Sequence, residues 1–216
     1  MFNTDARFMR VESPYEVHLA QNTLTREDVA RLYATAPMDQ TTPITRTDPR
    51  HEKLYRMNLV YLMVNNQKSR IVDSLSEEWK SLYADLAGDE VTRWLSEGTG
   101  IKLDGLSLDI GVYTHVDGDF LSAHKDKPNK AVTALLYLNE DWPSNAGGEF
   151  EIRVSGDHQT PPVFSIPPRP GLVLAFPPND QSWHSVSPIS TGDSLTRLLV
   201  QFEYWYDHED RYPLYR

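Results

Sequence analysis

The sequence predicts a mainly β protein with flanking helices, in which a double-stranded β-helix (a jelly-roll, cupin-like core) is braced by N-terminal α-helices. Two observations lead to this prediction. From Lys102 onward, short alternating or apolar segments are separated by turns rich in Pro and Gly, which is typical of all-β barrels. In the first hundred residues, amphipathic segments with helical spacing are prominent instead.

Three segments in the first hundred residues carry helical signals. The first predicted helix begins after its N-cap Thr25, because a Thr hydroxyl can accept a hydrogen bond from a free backbone N–H of the first turn. The second follows Asp73 and is broken by Gly88. The third runs over 90–96 and is closed by Gly98, because glycine commonly ends helices.

Strand signals begin in the N-terminal half and dominate the C-terminal half. The segment 54–64 is rich in Tyr, Val, Leu and Met, which favours a strand. The polar segment 37–52 contains three prolines and is predicted to be a loop or lid. The pair Asp117-Gly118 predicts a hairpin turn. The remaining predicted strands are 105–115, 119–124, 131–138, 148–154, 171–176, 184–187 and 196–205.

Composition limits the class of protein. A net charge of −10 argues against nucleic-acid binding, which needs a basic surface. No segment approaches the ~20 apolar residues of a membrane span, and the first residues lack the apolar core of a signal peptide. Cysteine is absent, so any metal must be held by His and carboxylate side chains. We expect a cytoplasmic protein with no nucleic-acid or membrane partner, as a monomer or homodimer.

The chain is predicted to be a single domain over 1–216. Residues 1–100 would form a helical support with one strand and a possible lid, and 101–216 the jelly-roll core. A length of 216 residues is ample for one buried core, and no composition shift calls for a second domain.

Two predicted strands alternate between polar and apolar side chains. Side chains two apart in a strand share a face, so each strand presents one polar and one apolar face. The polar faces would line either a ligand cavity or solvent, and the apolar faces would pack under the helices. The polar faces are Ser107, Asp109, Gly111 and Tyr113 in one strand, and Arg197, Leu199, Gln201 and Glu203 in the other.

A metal-binding pattern lies between these strands. In an extended backbone His124 and Asp126 point the same way, and His184 begins a later strand from which it could join them. Two imidazoles and one carboxylate form the facial triad that suits Fe(II) and leaves positions open for other ligands. The pair His115 and Asp117 has the same spacing, but Asp117 is already explained by its turn, so we favour the first copy.

The surroundings of this pattern extend from about Asp109 to Tyr206. They comprise Tyr113, 124–126, 132–139 with Asp141 and Trp142, 147–150, Pro170 and Gly171 with Phe176, 184–188, and Arg197. In order and spacing they resemble the Fe(II)/2-oxoglutarate-dependent dioxygenases, in particular the prolyl-4-hydroxylase-like branch. The resemblance covers nearly half the chain and is far more specific than the triad pattern alone.

The resemblance implies an enzyme with defined cofactors. His124, Asp126 and His184 would be catalytic iron ligands, with 2-oxoglutarate and O2 as cosubstrates and ascorbate as a reductant. Halogenating members of the superfamily replace the carboxylate ligand with a small residue. Asp126 is retained, which favours a hydroxylase over a halogenase.

The resemblance also implies residues for the cosubstrate. Arg197 would bind the distal carboxylate of 2-oxoglutarate, since a guanidinium can pair with a carboxylate through two parallel hydrogen bonds. Tyr137 would hydrogen-bond the same carboxylate, and Tyr113 would face the cosubstrate or substrate. Some related enzymes have a serine two residues after the arginine, but this chain has Leu199 there, so Thr133 is the further candidate hydroxyl.

Alternatives remain open at this stage. A small molecule, such as an amino acid or natural-product intermediate, is the favoured substrate, and peptidyl proline or another protein side chain is the alternative. A non-catalytic cupin-like protein could hold zinc or manganese with the same ligands. The tyrosine-rich tail, 204–206 with Tyr212 and Tyr215, could form a dimer contact.

Overall fold

Three α-helices, α1 (Arg26–Ala34), α2 (Glu77–Leu86) and α3 (Asp89–Thr99), form in the N-terminal half of the protein. The computed structural model describes residues 1–192 and 195–206. The Thr25 hydroxyl accepts a hydrogen bond from the backbone N–H of Asp28 at 3.1 Å, which confirms the predicted N-cap of α1. Ser76 caps α2 in the same way, so this helix begins at Glu77, four residues after Asp73, rather than next to it.

Helix α3 is longer than the predicted segment 90–96. It passes through Gly98 and ends at Thr99. Its C-cap is Gly100, whose φ of +72° lies in the left-handed region that glycine adopts without strain. Gly98 lies within the helix, where it packs against Phe8: a Cβ added there would lie 2.0 Å from an atom of the Phe8 ring. The glycine that permits close packing therefore differs from the glycine that ends the helix.

The strands confirm the mainly β prediction. They are β1 (Phe8–Val11), β2 (Val17–Ala20), β3 (Thr42–Arg46), β4 (Tyr55–Val64), β5 (Gln67–Lys68), β6 (Ser107–His115), β7 (Phe120–His124), β8 (Lys130–Tyr137), β9 (Phe150–Arg153), β10 (Phe164–Ile166), β11 (Val173–Phe176), β12 (Trp183–Val186) and β13 (Arg197–Trp205). Short 3-10 helices occupy Met38–Gln40 and Arg70–Ser74. The sequence missed β1, β2, β3, β5 and β10, all short.

The predicted loop 37–52 contains one of these missed strands. β3 pairs antiparallel with β4 through Cα partners that include Pro43 and Asn58. β3 pairs with no other strand of the described residues, so the missing N–H of Pro43 breaks no ladder on its outer side. A proline that argues against a central strand is compatible with an edge strand.

The strands form one curled antiparallel sheet in the order β1-β2-β11-β8-β13-β6-β4-β7-β12-β9-β10, with β3 and β5 also paired to β4. The curl gives a jelly-roll core whose concave face encloses a cavity. The predicted turn at Asp117-Gly118 forms, with Asp119 N–H donating to Val116 O at 2.9 Å. The predicted hairpin is wrong, because the strands on either side of the turn, β6 and β7, do not pair with each other. β6 continues beside β13 and β4, whereas β7 pairs with β4 and β12.

The two faces of the sheet are distributed as the alternation predicts. On the convex face, side chains of β13 such as Val200 and Phe202 share one hydrophobic cluster with Leu32, Trp79 and Leu95 of the three helices. On the concave face, the predicted polar positions line the cavity, including Asp109, Tyr113, Arg197, Gln201 and Glu203. The helices therefore brace the sheet from outside. No helix in 1–192 or 195–206 is long and apolar enough to cross a membrane.

The tyrosine-rich tail, for which the sequence offers a dimer contact, begins at the end of β13. Tyr204 and Trp205 are buried, whereas Tyr206 is 60% exposed. The tail tyrosines Tyr212 and Tyr215 lie outside the described residues. Strand alternation places Tyr204 on the convex face, which packs against the helices. Its hydroxyl lies 2.8 Å from that of Thr92 on α3.

Candidate active site

The pairing of β7 with β12 brings two histidines together. His124 and His184 are Cα partners in this antiparallel pair, and their ring centroids lie 4.2 Å apart. Asp126 lies two residues beyond the end of β7, and one ligand atom from each of the three residues lies within 4.8 Å of the others. The second His-x-Asp copy, His115 and Asp117, does not form a metal site in the fold. Asp117 Oδ1 accepts backbone hydrogen bonds from Thr191 and Gly192, whereas His115 lines the cavity away from the triad.

Each histidine is oriented by the backbone two residues before it. His124 Nδ1 lies 2.9 Å from Ser122 O, and His184 Nδ1 lies 2.9 Å from Ser182 O. A carbonyl oxygen can only accept, so in both rings Nδ1 is the donor and Nε2 is left with its lone pair. Both Nε2 atoms face Asp126 Oδ1, at 3.7 Å from His124 and 4.0 Å from His184. Three donor atoms therefore converge on one point.

The electrostatics keep these donors in the form that binds a metal. Burial, followed by the neighbouring His124, lowers the pKa of His184 to about 3. Burial and then the charge of Lys53 lower the pKa of His124. Burial alone would raise the pKa of Asp126, but Lys130 and the two histidines hold it well below its usual range. Two neutral imidazoles and an ionised carboxylate form a donor set that suits a divalent transition metal.

Aromatic rings pack around the second histidine. Phe150 of β9 stacks on His184 with centroids 5.2 Å apart and planes 15° from parallel, and Phe176 of β11 meets the same ring edge-on at 4.9 Å. Phe150 follows Gly147 and Gly148, which both adopt positive φ in the turn before β9. This packing limits rotation of the His184 ring, so its Nε2 stays directed at Asp126.

A second polar group lies at the other end of the cavity. Arg197, at the start of β13, is 1% exposed, and its Nη2 donates to the Tyr137 hydroxyl at 3.5 Å. Its Nη1 lies 3.4 Å from His115 Nδ1. Within the described chain Arg197 forms no ion pair, and its Nε and His115 Nε2 are buried without a hydrogen-bond partner. A buried cation without a counter-ion is costly, and a ligand carboxylate would offset that cost.

The triad and the guanidinium share one cavity of about 490 Å³. Tyr113 lines the same cavity, as the sequence predicts. Thr133, predicted to contact the cosubstrate, also lines the cavity, and its Oγ1 donates to Asp126 Oδ2 at 2.6 Å. Tyr137 is fully buried behind Arg197, with its ring 5.2 Å from the guanidinium carbon. The His124, Asp126 and His184 ligand atoms fit a metal ion, and the Arg197 guanidinium, which has no ion-pair partner in the described chain, fits a carboxylate of a dicarboxylate ligand.

Sequence reasoning missed Lys53 as a site residue. Lys53 lines the cavity, where burial and then nearby Lys130 lower its pKa while Asp126 and Glu203 raise it. A signal was present, because Lys53 continues the period-two pattern of β4 one step before the strand begins. The cavity-lining side chains of β4 are Tyr55, Met57, Leu59 and Tyr61.

Known proteins share both sequence and fold with this chain. Residues 110–206 match the family model of the 2OG-Fe(II) oxygenase superfamily. Prolyl 3-hydroxylase sudestada1 of Drosophila melanogaster is 32% identical over 120 residues, a match that covers 51% of this chain and 22% of that relative. The chain therefore spans only about a fifth of this relative's length.

Solved structures with the same fold are more distant in sequence. A Pseudomonas putida prolyl-4-hydroxylase superposes with a TM-score of 0.63 at 17% identity, covering 89% of this chain and 93% of the other. A Trichoplax adhaerens prolyl hydroxylase, solved with a peptide fragment of the hypoxia inducible factor oxygen degradation domain, gives 0.56 at 17% identity, covering 88% and 83%. At this identity the similarity shows the fold, and it agrees with the resemblance read from the sequence motifs.

Proposed function

We propose that this chain is a member of the 2OG-Fe(II) oxygenase superfamily, whose family model matches residues 110–206, and that it hydroxylates a prolyl residue within a peptide. It is an oxygenase that uses Fe(II), 2-oxoglutarate and O2, as this superfamily does. The observation that carries the proposal is the convergence of His124, Asp126 and His184 in the cavity that also holds the buried guanidinium of Arg197, which forms no ion pair with the described residues. A cupin-like metal-binding protein would need the triad but has no use for a buried cation beside it.

The proposed roles follow from which atoms face the cavity. His124 and His184 would hold the metal through Nε2, and Asp126 through Oδ1. When bound, Fe(II) and 2-oxoglutarate together supply oxidising power for C–H hydroxylation through oxidative decarboxylation of 2-oxoglutarate. Arg197 would pair with the distal carboxylate of 2-oxoglutarate, oriented by Tyr137 and by His115. Because the carboxylate ligand is retained, hydroxylation is proposed rather than halogenation.

We propose two substrate classes, of which peptidyl proline is preferred over a small molecule. The prolyl proposal is supported by the sequence match to a protein named as a prolyl 3-hydroxylase and by the fold shared with prolyl hydroxylases. The small molecule that the sequence favoured becomes the second candidate. It is supported by Lys53, because an ammonium group on the cavity wall suits the carboxylate of a free amino acid or similar metabolite.

One assay tests the activity and orders the substrates. Purified protein with Fe(II), 2-oxoglutarate and ascorbate is incubated with proline-containing peptides and, separately, with free amino acids and metabolite extract. We expect succinate formation and a gain of one oxygen atom, measured by mass spectrometry, with peptides preferred. His124→Ala should abolish both, and the exposed His158→Ala serves as the matched control.

The outcomes separate the alternatives. Oxygen gain in free amino acids but in none of the peptides would reject the prolyl proposal and support the second candidate. Wild-type turnover by both His124→Ala and His184→Ala would reject the iron site itself. If metal-loaded protein fails to bind 2-oxoglutarate, or binds it equally well after Arg197→Ala, the cupin-like alternative is favoured over the oxygenase.

A further inference from the structure

The two oxygens of Asp126 have different surroundings. Oδ1 faces the Nε2 atoms of His124 and His184, whereas Oδ2 lies 3.0 Å from Lys130 Nζ. Thr133 donates to the same Oδ2. Two donors on one oxygen hold the plane of the carboxylate and leave the other oxygen directed at the histidines. The orientation of Asp126 is therefore set by hydrogen bonds from outside the triad.

A β-bulge turns Lys130 toward the cavity. Where β8 pairs with β13, Tyr204 lies opposite Val132, but Trp205 lies opposite Lys130, so Ala131 has no partner. Strict alternation would direct Lys130 away from the face that carries Thr133. The extra residue reverses this, as bulges do when they redirect a side chain beside a functional site. Consistently, Ala131 and Val132 both pack in the convex-face cluster.

Lys130 is itself held by β13. Its Nζ contacts Glu203 Oε1 as well as Asp126, and it lies 4.9 Å from the ring centroid of Trp205. The side chains of Lys130 and Glu203 are only 7% and 8% exposed. Long side chains on a surface move freely, but a buried lysine between two carboxylates and an aromatic ring has one favourable position.

We propose that Lys130 is a positioning residue, which fixes Asp126 so that it binds the metal through Oδ1 alone. The proposal rests on the proposed function, since it takes His124, Asp126 and His184 as the metal site. If Oδ2 were free, the carboxylate could rotate and chelate the metal with both oxygens. That would occupy a position that the cosubstrates need. Hydrogen-bonded partners of metal ligands typically affect metal affinity or activity by about 10- to 100-fold.

Two double variants isolate this role. Lys130→Met alone would leave Glu203 buried without a counter-ion, so Glu203 is changed to Gln in both. Lys130→Met/Glu203→Gln removes the donor to Asp126, and Lys130→Gln/Glu203→Gln keeps an amide donor. Both doubles have the same net charge as the wild type. A difference between them therefore reports the hydrogen bond and not the charge. Glu77→Gln/Lys80→Met removes an exposed ion pair of α2 and is the matched control.

The measurement is cobalt(II) binding, by calorimetry and by the visible absorption per cobalt, which reports the coordination number. We expect Lys130→Met/Glu203→Gln to bind cobalt about 10- to 100-fold more weakly, with an altered spectrum. Lys130→Gln/Glu203→Gln should lie closer to the wild type, and the α2 control should match it. Equal affinities and spectra for the two active-site doubles would overturn the proposal.

Two further variants keep the result interpretable. If Lys130→Met/Glu203→Gln does not show a cooperative unfolding transition, Thr133→Val replaces it, because it removes the other donor to Oδ2 and keeps the side-chain shape. A wild-type cobalt spectrum and affinity in Thr133→Val would then count against positioning of Asp126 through Oδ2. Failure of the proposed function looks different: the wild type would not bind cobalt, or His124→Ala would bind it as tightly.

Discussion

Arg197 and His115 lie directly opposite each other on the neighbouring strands β13 and β6, with Arg197 Nη1 3.4 Å from His115 Nδ1. Both side chains are buried. Burial, and then the charge of Arg197, hold the pKa of His115 well below its ordinary value. A neutral imidazole can accept a hydrogen bond from the guanidinium without repelling it. His115, which resembles a metal ligand in the sequence, therefore contacts Arg197 rather than the metal triad.

The first prediction concerns the charge and shape of Arg197. Arg197→Lys keeps a cation but loses the planar fork that pairs with a carboxylate through two hydrogen bonds. Hydrogen bonds to charged groups contribute about 1.5–3 kcal/mol, so we expect the Kd of 2-oxoglutarate to rise roughly 10- to 100-fold. Calorimetry on manganese-loaded protein measures this, with the manganese affinity itself as the internal control. An unchanged Kd would contradict the assignment of Arg197.

The second prediction concerns His115. His115→Phe keeps the ring but removes the acceptor for Arg197, and we expect a weaker effect on 2-oxoglutarate affinity than for Arg197→Lys. A neutral hydrogen bond contributes about 0.5–1.5 kcal/mol, which corresponds to roughly 2- to 10-fold. Metal affinity should not change, because His115 lies outside the triad. A large loss of metal binding in His115→Phe would instead favour the alternative motif formed by His115 and Asp117.

The third prediction concerns the stability of the metal-free protein as pH falls. Burial lowers the pKa of His184 to about 3 in the folded protein, whereas the pKa of an unfolded histidine is ~6.5. Between these values the unfolded chain binds more protons, so the free energy of unfolding decreases as pH is lowered through this window. The limiting slope is about 1.4 kcal/mol per pH unit for one histidine. Asp126 adds a loss in the same direction only below about pH 4.

Urea unfolding between about pH 7 and about pH 5 measures this slope. His184→Asn should give a smaller decrease in unfolding free energy than the wild type over that interval. His158→Asn changes an exposed histidine and is the matched control variant. Parallel slopes for the wild type and His184→Asn would show that burial of His184 does not couple stability to pH.

The fourth prediction concerns the turn before β9. Gly147 has a φ of +68°, and a Cβ added there would lie 1.9 Å from Pro188 O. Gly147→Ala should therefore destabilise the fold by more than the ~1–2 kcal/mol that a left-handed backbone alone costs an L-residue. Gly192 is the matched control, since its φ is +58° but, apart from its chain neighbours, no atom of the described residues lies within 4 Å of the added Cβ. Chemical denaturation compares the two, and equal losses would mean that the Pro188 contact relaxes.

Local patterns predicted the parts of the site that depend on strand periodicity. The alternation of β6 and β13 assigned Tyr113, Arg197 and Glu203 to one face, and the structure has all three lining the cavity. The spacing of His124 and Asp126 put both side chains on one side of an extended segment. These predictions hold because side-chain direction within a strand depends only on parity along the chain.

Long-range pairing decided the rest. The sequence contains two His-x-Asp copies, and only the antiparallel register of β7 and β12 brings His184 to His124 rather than to His115. The bulge that turns Lys130 toward Asp126 has no local signature, because it exists only where β8 meets β13. The free energy that selects these registers comes from burying the two faces of a curled sheet. That burial involves residues distant in sequence, whereas the parity of a strand is set by the covalent chain alone.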